Sequence, residues 1–173
     1  MTNRIFVGID LAGKEHNPTG FALWHQDVQV RELYKDEELL GELQNLTNAI
    51  VAVDAPFTFP KSGYWRDCDR KLIEKGFKPL SPKFPNMQVL VKRAQRLIKN
   101  TKRINPTVEF IETYPPAVAE LLFIRKDELE KRFGQRLSEH EFDAVVCCIM
   151  AKMYAEGEVL GLGSEDKIYI PKV

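Results

Sequence analysis

Cysteine is scarce in this chain, and its arrangement excludes two chemistries. Cys68, Cys147 and Cys148 are the three cysteines of 173 residues. None has the paired spacing of a zinc site, and adjacent Cys147 and Cys148 would point in different directions from a helix. Neither a thiolate metal site nor a disulfide framework follows; the thiols read as small buried apolar residues in a reducing compartment. No apolar run approaches the ~20 residues needed to span a bilayer, so no membrane contact is expected. Histidine is limited to His16, His25 and His140, and the first two have no constellation around them. There is no internal repeat, low-complexity tract or convincing linker. The start, Met1-Thr2-Asn3-Arg4, leads straight into a strand and lacks a signal-peptide shape, so a cytoplasmic protein is expected.

Net charge is also zero, but the zero hides an asymmetry. Residues 1–60 carry 4 basic and 9 acidic side chains, residues 61–103 carry 13 and 3, and residues 104–173 carry 8 and 13. A basic block thus lies between two acidic parts. Such a block steers and holds a polyanion; the plainer reading is a solvated helix surface that screens the acidic parts. With 44% hydrophobic residues, the length and composition fit one domain with a sizeable core.

The apolar pattern gives an element order. Residues 4–10 read as a buried strand, 19–24 as a second, and 28–33 as a third with period-two alternation, together an antiparallel meander. A helix from Glu37 to about Leu46 follows, then the apolar strand Ala49 to Val53. The intervening helix makes that strand parallel to the first. Residues 65–75 and 87–100 read as helices, the second basic and amphipathic, separated by a proline-rich loop over 77–86. Thr107 to Glu112 is the next strand. Pro116 opens a short helix, Lys126 to Phe133 forms another, and Ser138 with Glu141 makes a capping box for a last long helix to about Ala155. Residues 166–171 suggest a short extended segment. The expected fold is α/β and ribonuclease H-like. It has a central five-stranded mixed sheet, three strands antiparallel plus two parallel, flanked by helices. One domain spans 1–173, with a basic helical insert at about 61–106.

Four carboxylates sit at element ends in that order. Asp10 closes Ile5-Phe6-Val7-Gly8-Ile9, Asp54 closes Ala49 to Val53, Glu112 closes Val108 to Ile111, and Asp143 lies in the first turns of the last helix. A carboxylate at the end of a buried strand is expensive to desolvate without positive compensation. Gathered at one sheet edge, four would repel one another strongly without a cation. Oxygen-rich clusters of this kind suit Mg²⁺ or Mn²⁺. Taken singly, each aspartate has a plain alternative: Asp10 and Asp54 as turn residues, Asp143 as a partner of the helix dipole. His140 shares a helix face with Asp143 and has a proton-shuttle pKa range, yet a surface residue of the first turn is the favoured reading.

At these residues the chain resembles the DUF429 group of predicted ribonuclease H-like nucleases, over nearly its whole length. The resemblance rests on Gly8-Ile9-Asp10-Leu11-Ala12-Gly13 with Thr19-Gly20, on Val53-Asp54-Ala55-Pro56, on Arg66-Asp67-Cys68-Asp69-Arg70 and on Ser81-Pro82. Glu112-Thr113-Tyr114-Pro115-Pro116-Ala117 and His140-Glu141-Phe142-Asp143-Ala144 complete it. It implies that Asp10 bridges two metal ions, that Asp54 and Asp143 take one each, and that Glu112 completes the set. All four are thus catalytic and metal-binding in a two-metal hydrolysis of nucleic-acid phosphodiester bonds. An Asp69–Arg66 pair at i,i+3 is the structural alternative for residues 66–70, but the resemblance favours a place at the site edge for Arg66 and Arg70. Lys14, after the Asp10 turn, and Lys92, Arg93 and Arg96 of the basic helix are further candidates for binding phosphate, with Tyr64, Trp65 and Phe84 upstream to stack on unpaired bases. The expected partner is DNA or RNA. A homodimer stays open, since resolvase-like relatives often pair, but no heptad or interface stripe is visible.

Two other functions compete. A nucleotide-phosphate enzyme of the actin and sugar-kinase superfold also carries an Asp-x-Gly turn on its first strand. That fold generally uses two domains, however, and its glycine-rich adenosine motifs are missing here. A non-catalytic nucleic-acid-binding module is the other alternative; retention of all four mutually repelling acids argues against it.

Overall fold

The computed structural model describes residues 3–173; Met1 and Thr2, read above as leading into the first strand, lie outside it. Strands β1 (Ile5–Asp10), β2 (Thr19–Trp24) and β3 (Val28–Leu33) form the expected antiparallel meander, with Gly8 opposite Ala22 and Asp10 opposite Gly20. Helix α1 (Asp36–Leu43) leads to β4 (Ala49–Val53), which runs parallel to β1 with Ile9 beside Val53. Helices α2 (Asp67–Glu74) and α3 (Pro85–Ile104) precede β5 (Glu109–Thr113), parallel to β4 with Val53 beside Glu112. After α4 (Pro115–Leu121), α5 (Lys126–Phe133) and α6 (Glu139–Glu156), the chain ends in the hairpin of β6 (Val159–Leu162) and β7 (Ile168–Pro171).

The sheet has seven strands in the order β3-β2-β1-β4-β5-β7-β6, two more than expected. The extended tail is β7, which joins β5 in parallel. Strand β6 escapes a sequence reading because it has four residues, one of them Gly161, and no room to show alternation. The basic helix is also longer than expected at both ends. Pro85 does not interrupt it but occupies its first turn, where a missing N–H costs nothing.

Alternation along the strands assigns the two faces. Val7, Ile9, Val51 and Val53 pack with Leu39 and Leu43 of α1 and Ala94 and Leu97 of α3. Ile50, Ala52 and Ile111 pack with Val118 of α4 and Val146, Cys147 and Met150 of α6. The sheet is covered on both sides, as its parallel centre requires.

Helix α6 lies unusually close to the sheet, and two glycines allow it. A Cβ on Gly8 would stand 1.9 Å from the Ala144 carbonyl oxygen, and one on Gly20 would stand 1.9 Å from the His140 carbonyl oxygen. The neighbouring small residues Ala22, Ala144 and Cys148 are all buried at this contact. The helix start is fixed as the sequence indicated: Ser138 Oγ accepts the Glu141 N–H at 3.1 Å, and the Glu141 carboxylate accepts the Ser138 N–H at 2.9 Å.

Substituting either glycine tests this contact. Gly20→Ala or Gly8→Ala should lower unfolding stability by about 2–3 kcal/mol or more in denaturant titration, because the clash is with backbone that cannot rotate away. Gly41→Ala, in α1 where a Cβ meets nothing within 4 Å, should instead raise it by roughly 0.5–1 kcal/mol.

Candidate metal centre

The site forms where β1 and β4 end side by side. The Asp54 N–H donates to the Ile9 carbonyl at 2.8 Å, which extends the parallel ladder by one residue and sets Asp54 next to Asp10. Asp10 is two residues past Gly8 and so emerges on the face that Gly8 turns toward α6. Asp54 follows Ala52 by the same spacing. From α6, Asp143 and His140 sit one turn apart on one side. Oxygens of Asp10, Asp54 and Asp143 lie within 4.8 Å of one another, and His140 Nδ1 lies 2.9 Å from Asp10 Oδ2. The imidazole missed by the plainer sequence reading is therefore part of the cluster; its i,i+3 spacing from Asp143 was the available signal.

The three acids are protonated more readily than free carboxyls. Burial, followed by the charges of Asp10 and Asp143, pushes Asp54 well above the usual carboxylate range. Burial and the charge of Asp10 push Asp143 up to about 7. Asp10 is also raised by burial, against the pull of His140. The nearby Asp10 charge adds to burial in disfavouring the ionised Asp54 carboxylate. Three hard oxygen donors that disfavour their own ionised state, grouped within reach of one centre, fit a hard divalent cation. Among the described residues, Asp10, Asp54 and Asp143 thus form a group that could hold a metal ion. Beneath them, burial and then the charges of Asp54, Asp10 and Asp143 raise the Cys147 thiol well above its usual value, which leaves it unreactive.

Glu112 is placed differently from the expectation of a fourth ligand. It pairs with Val53, not with Asp54, and so points to the opposite face of the sheet. There Arg66 grips it with both terminal nitrogens, Nη2 to Oε1 at 2.7 Å and Nη1 to Oε2 at 3.0 Å. The Phe57 N–H adds a third bond at 3.2 Å. Arg66 also holds Asp69 through Nε at 2.9 Å and Nη2 at 2.8 Å. All three side chains are buried. Arg66 is thereby withdrawn from phosphate binding: a guanidinium beside two buried acids neutralises them instead.

Arg93, another candidate for phosphate, is also turned inward. It is 1% exposed and donates to Asp36 at 2.8 Å, to the Ala12 carbonyl at 2.7 Å and to the Tyr34 carbonyl at 2.6 Å. Its helical position explains this, since Arg93 falls between Val91 and Ala94 on the buried stripe of α3. Lys14, Arg70, Lys92 and Arg96 are exposed. Lys14 and Arg96 line one cleft beside the Asp10 turn; Arg70 and Trp65 line another beside α2. Tyr64 packs edge-on against Trp65 at 5.2 Å and Phe84 at 5.6 Å, and both Tyr64 and Phe84 reach solvent.

No family model matches the chain, and no curated protein matches it. Among solved structures it is similar to T. thermophilus RuvC in complex with Holliday junction substrate, with a TM-score of 0.51 at 14% identity over 88% of this chain and 96% of that one. That likeness, with the mixed sheet and its flanking helices, establishes a ribonuclease H-like fold. Among the described residues, no helix is long and apolar enough to cross a membrane.

Two outcomes follow from the charges. Asp54 and Asp143 bind protons more tightly folded than unfolded. Their contribution to stability is complete below the ordinary carboxylate value of 3.8 and is lost as pH rises through the raised folded values, about 7 for Asp143. The metal-free protein should therefore melt at lower temperature at pH 8 than at pH 5. Asp54→Asn should raise the pH 8 melting temperature by about 2–4 °C or more and remove the stabilisation produced by Mn²⁺ in thermal-shift measurements. Glu112→Ala should act in the other direction, costing about 1–3 kcal/mol by leaving Arg66 N–H groups and the Phe57 amide without their acceptor, while the folded protein still responds to Mn²⁺.

Proposed function

We propose that this chain is a metal-dependent nuclease that hydrolyses phosphodiester bonds of DNA or RNA and works in the cytoplasm. One observation carries the reading: Asp10, Asp54 and Asp143, drawn from two strand ends and a helix, converge at one edge of a ribonuclease H-like sheet with their carboxyls held reluctant to ionise. Asp10, Asp54 and Asp143 would hold Mg²⁺ or Mn²⁺, two ions by the family resemblance, which supply the Lewis acidity that activates water and stabilises a leaving oxygen.

The chain's own groups then have distinct tasks. Asp10 lies between Asp54 and His140 and can serve more than one ion. Asp54, whose buried carboxyl is reluctant to ionise alone, would ligate a cation as the carboxylate. His140, half exposed beside Asp10, is set to hold or pass a proton at the solvent side through its second ring nitrogen. Lys14 and Arg96 in the cleft next to the Asp10 turn, with Arg70 and Lys92, supply the phosphate grip. Glu112 supports the site without joining it, by fixing Arg66 and the Phe57 amide beneath the strand ends.

A cleavage panel of single strands, duplexes, RNA–DNA hybrids and four-way junctions in Mn²⁺ tests the reading. Cleavage should appear with at least one substrate and fall by ~10²-fold or more in Asp10→Asn, as expected for removing several kcal/mol of charge stabilisation. Lys14→Ala with Arg96→Ala should weaken binding and flatten its salt dependence by about two phosphate contacts. Unchanged nucleic-acid binding in Asp10→Asn with no cleavage of any substrate would replace the nuclease with a binding module.

A further inference from the structure

A cavity of about 270 Å³ is lined by Asp10 and Asp54, two of the three clustered aspartates. Its walls are mostly apolar: Pro56, Leu72, Leu80, Met87, Leu90 and Tyr114. Such a slot has no role in gripping a phosphate backbone, which needs charge and hydrogen-bond donors. Its volume falls just under the ~300 Å³ at which sites for drug-sized ligands begin. It therefore suits one flat ring system and excludes a stacked pair.

The polar groups around the slot narrow the choice further. Lys78 stands at its rim and is exposed. Its floor is the Arg66–Asp69–Glu112 cluster. There all five guanidinium N–H groups are engaged: Nε with Asp69, Nη1 with Thr58 and Glu112, Nη2 with Asp69 and Glu112. The guanidinium thus has no donor left to offer the edge of a base. Tyr114 offers an aromatic ring in the wall, close enough to Asp54 that the carboxylate helps to raise its phenol above the ordinary value, after burial. An apolar slot with a ring in its wall, a cation-seeking cluster at one end and a lysine at the rim matches a flat heterocycle tethered to a phosphate.

We infer that this cavity receives a single unstacked nucleobase of the substrate, without discriminating among bases, while the phosphate attached to that nucleotide lies at Asp10, Asp54 and Asp143. The inference rests on the proposed nuclease reading and deepens it. The substrate is favoured to be a strand with a free end or an unpaired nucleotide, since a base inside a continuous duplex must first be extruded. Extruding a base costs a few kcal/mol in a duplex and least where it is already unpaired.

The test compares adenosine 5′-monophosphate with ribose 5-phosphate, which keeps the sugar phosphate and lacks the base. Binding to the full chain in Mn²⁺ is measured by calorimetry. The nucleotide should bind ~10-fold or more tightly, the range expected for stacking one base. Cytidine 5′-monophosphate should follow within a few-fold. Met87→Trp, which fills the half-buried mouth of the slot, should abolish the advantage of the nucleotide while the Mn²⁺ thermal shift is kept. Equal affinity for the two phosphates in the unaltered chain would overturn the inference, as would an advantage that survives Met87→Trp. The cleavage panel separates this from the underlying reading. Cleavage without a base advantage keeps the nuclease and removes the slot; a base advantage without cleavage of any substrate keeps the slot and removes the nuclease.

Discussion

Helix α6 meets the sheet through backbone, at Gly8 and Gly20, where other helices meet sheets through side chains. The site depends on that approach. With ordinary side chains between them, a helix and a sheet stand about 10 Å apart, and short aspartates on each could not reach a common centre. Removing two Cβ atoms from the contact brings Asp143 and His140 down to the level of Asp10. The same contact sets the helix's rotation, because a backbone carbonyl fits over a glycine in only one position. The capping box at Ser138 then fixes where the helix begins, so that Asp143 falls in the turn that overlooks the strand ends.

Two charge clusters of different character flank the sheet end. On the α6 side, three carboxylates face one another with only His140 to oppose them, and they hold protons that free carboxyls would lose. On the other side, two carboxylates face a guanidinium with every donor engaged. The first arrangement is unstable by itself and invites a cation; the second is closed. The one-residue offset between Asp54 and Glu112 along parallel strands decides which cluster each acid joins.

Much of this was legible beforehand. The element order through β5, the parallel pairing of β4 with β1 and the α6 cap follow from apolar periodicity and turn chemistry, and Asp10, Asp54 and Asp143 converge as their element ends suggested. Glu112 was read as their equal because a strand's end can be located from sequence, whereas its register against a neighbour, and hence the face its last residue takes, cannot. Arg93 reads as a phosphate ligand for a related reason: a basic residue on an amphipathic helix can fall on either edge of the buried stripe, and only the neighbouring carbonyls show that it is enclosed. The i,i+3 spacing of Arg66 and Asp69 does signal their pair, but not the second acid, Glu112, that Arg66 also holds. The cavity beside the aspartates leaves no trace in the pattern, since its walls come from seven separate stretches of chain.

The buried clasp of Arg93 has a mechanical meaning. Its guanidinium holds the carbonyl of Ala12, two residues beyond Asp10, and also the carbonyl of Tyr34 and the carboxylate of Asp36. The helix that carries Lys92 and Arg96 is thereby bolted to the very turn that presents Asp10. Grip and blade are then parts of one rigid jig. In the proposed nuclease, a strand seated on that helix would lie at a fixed distance from the three aspartates.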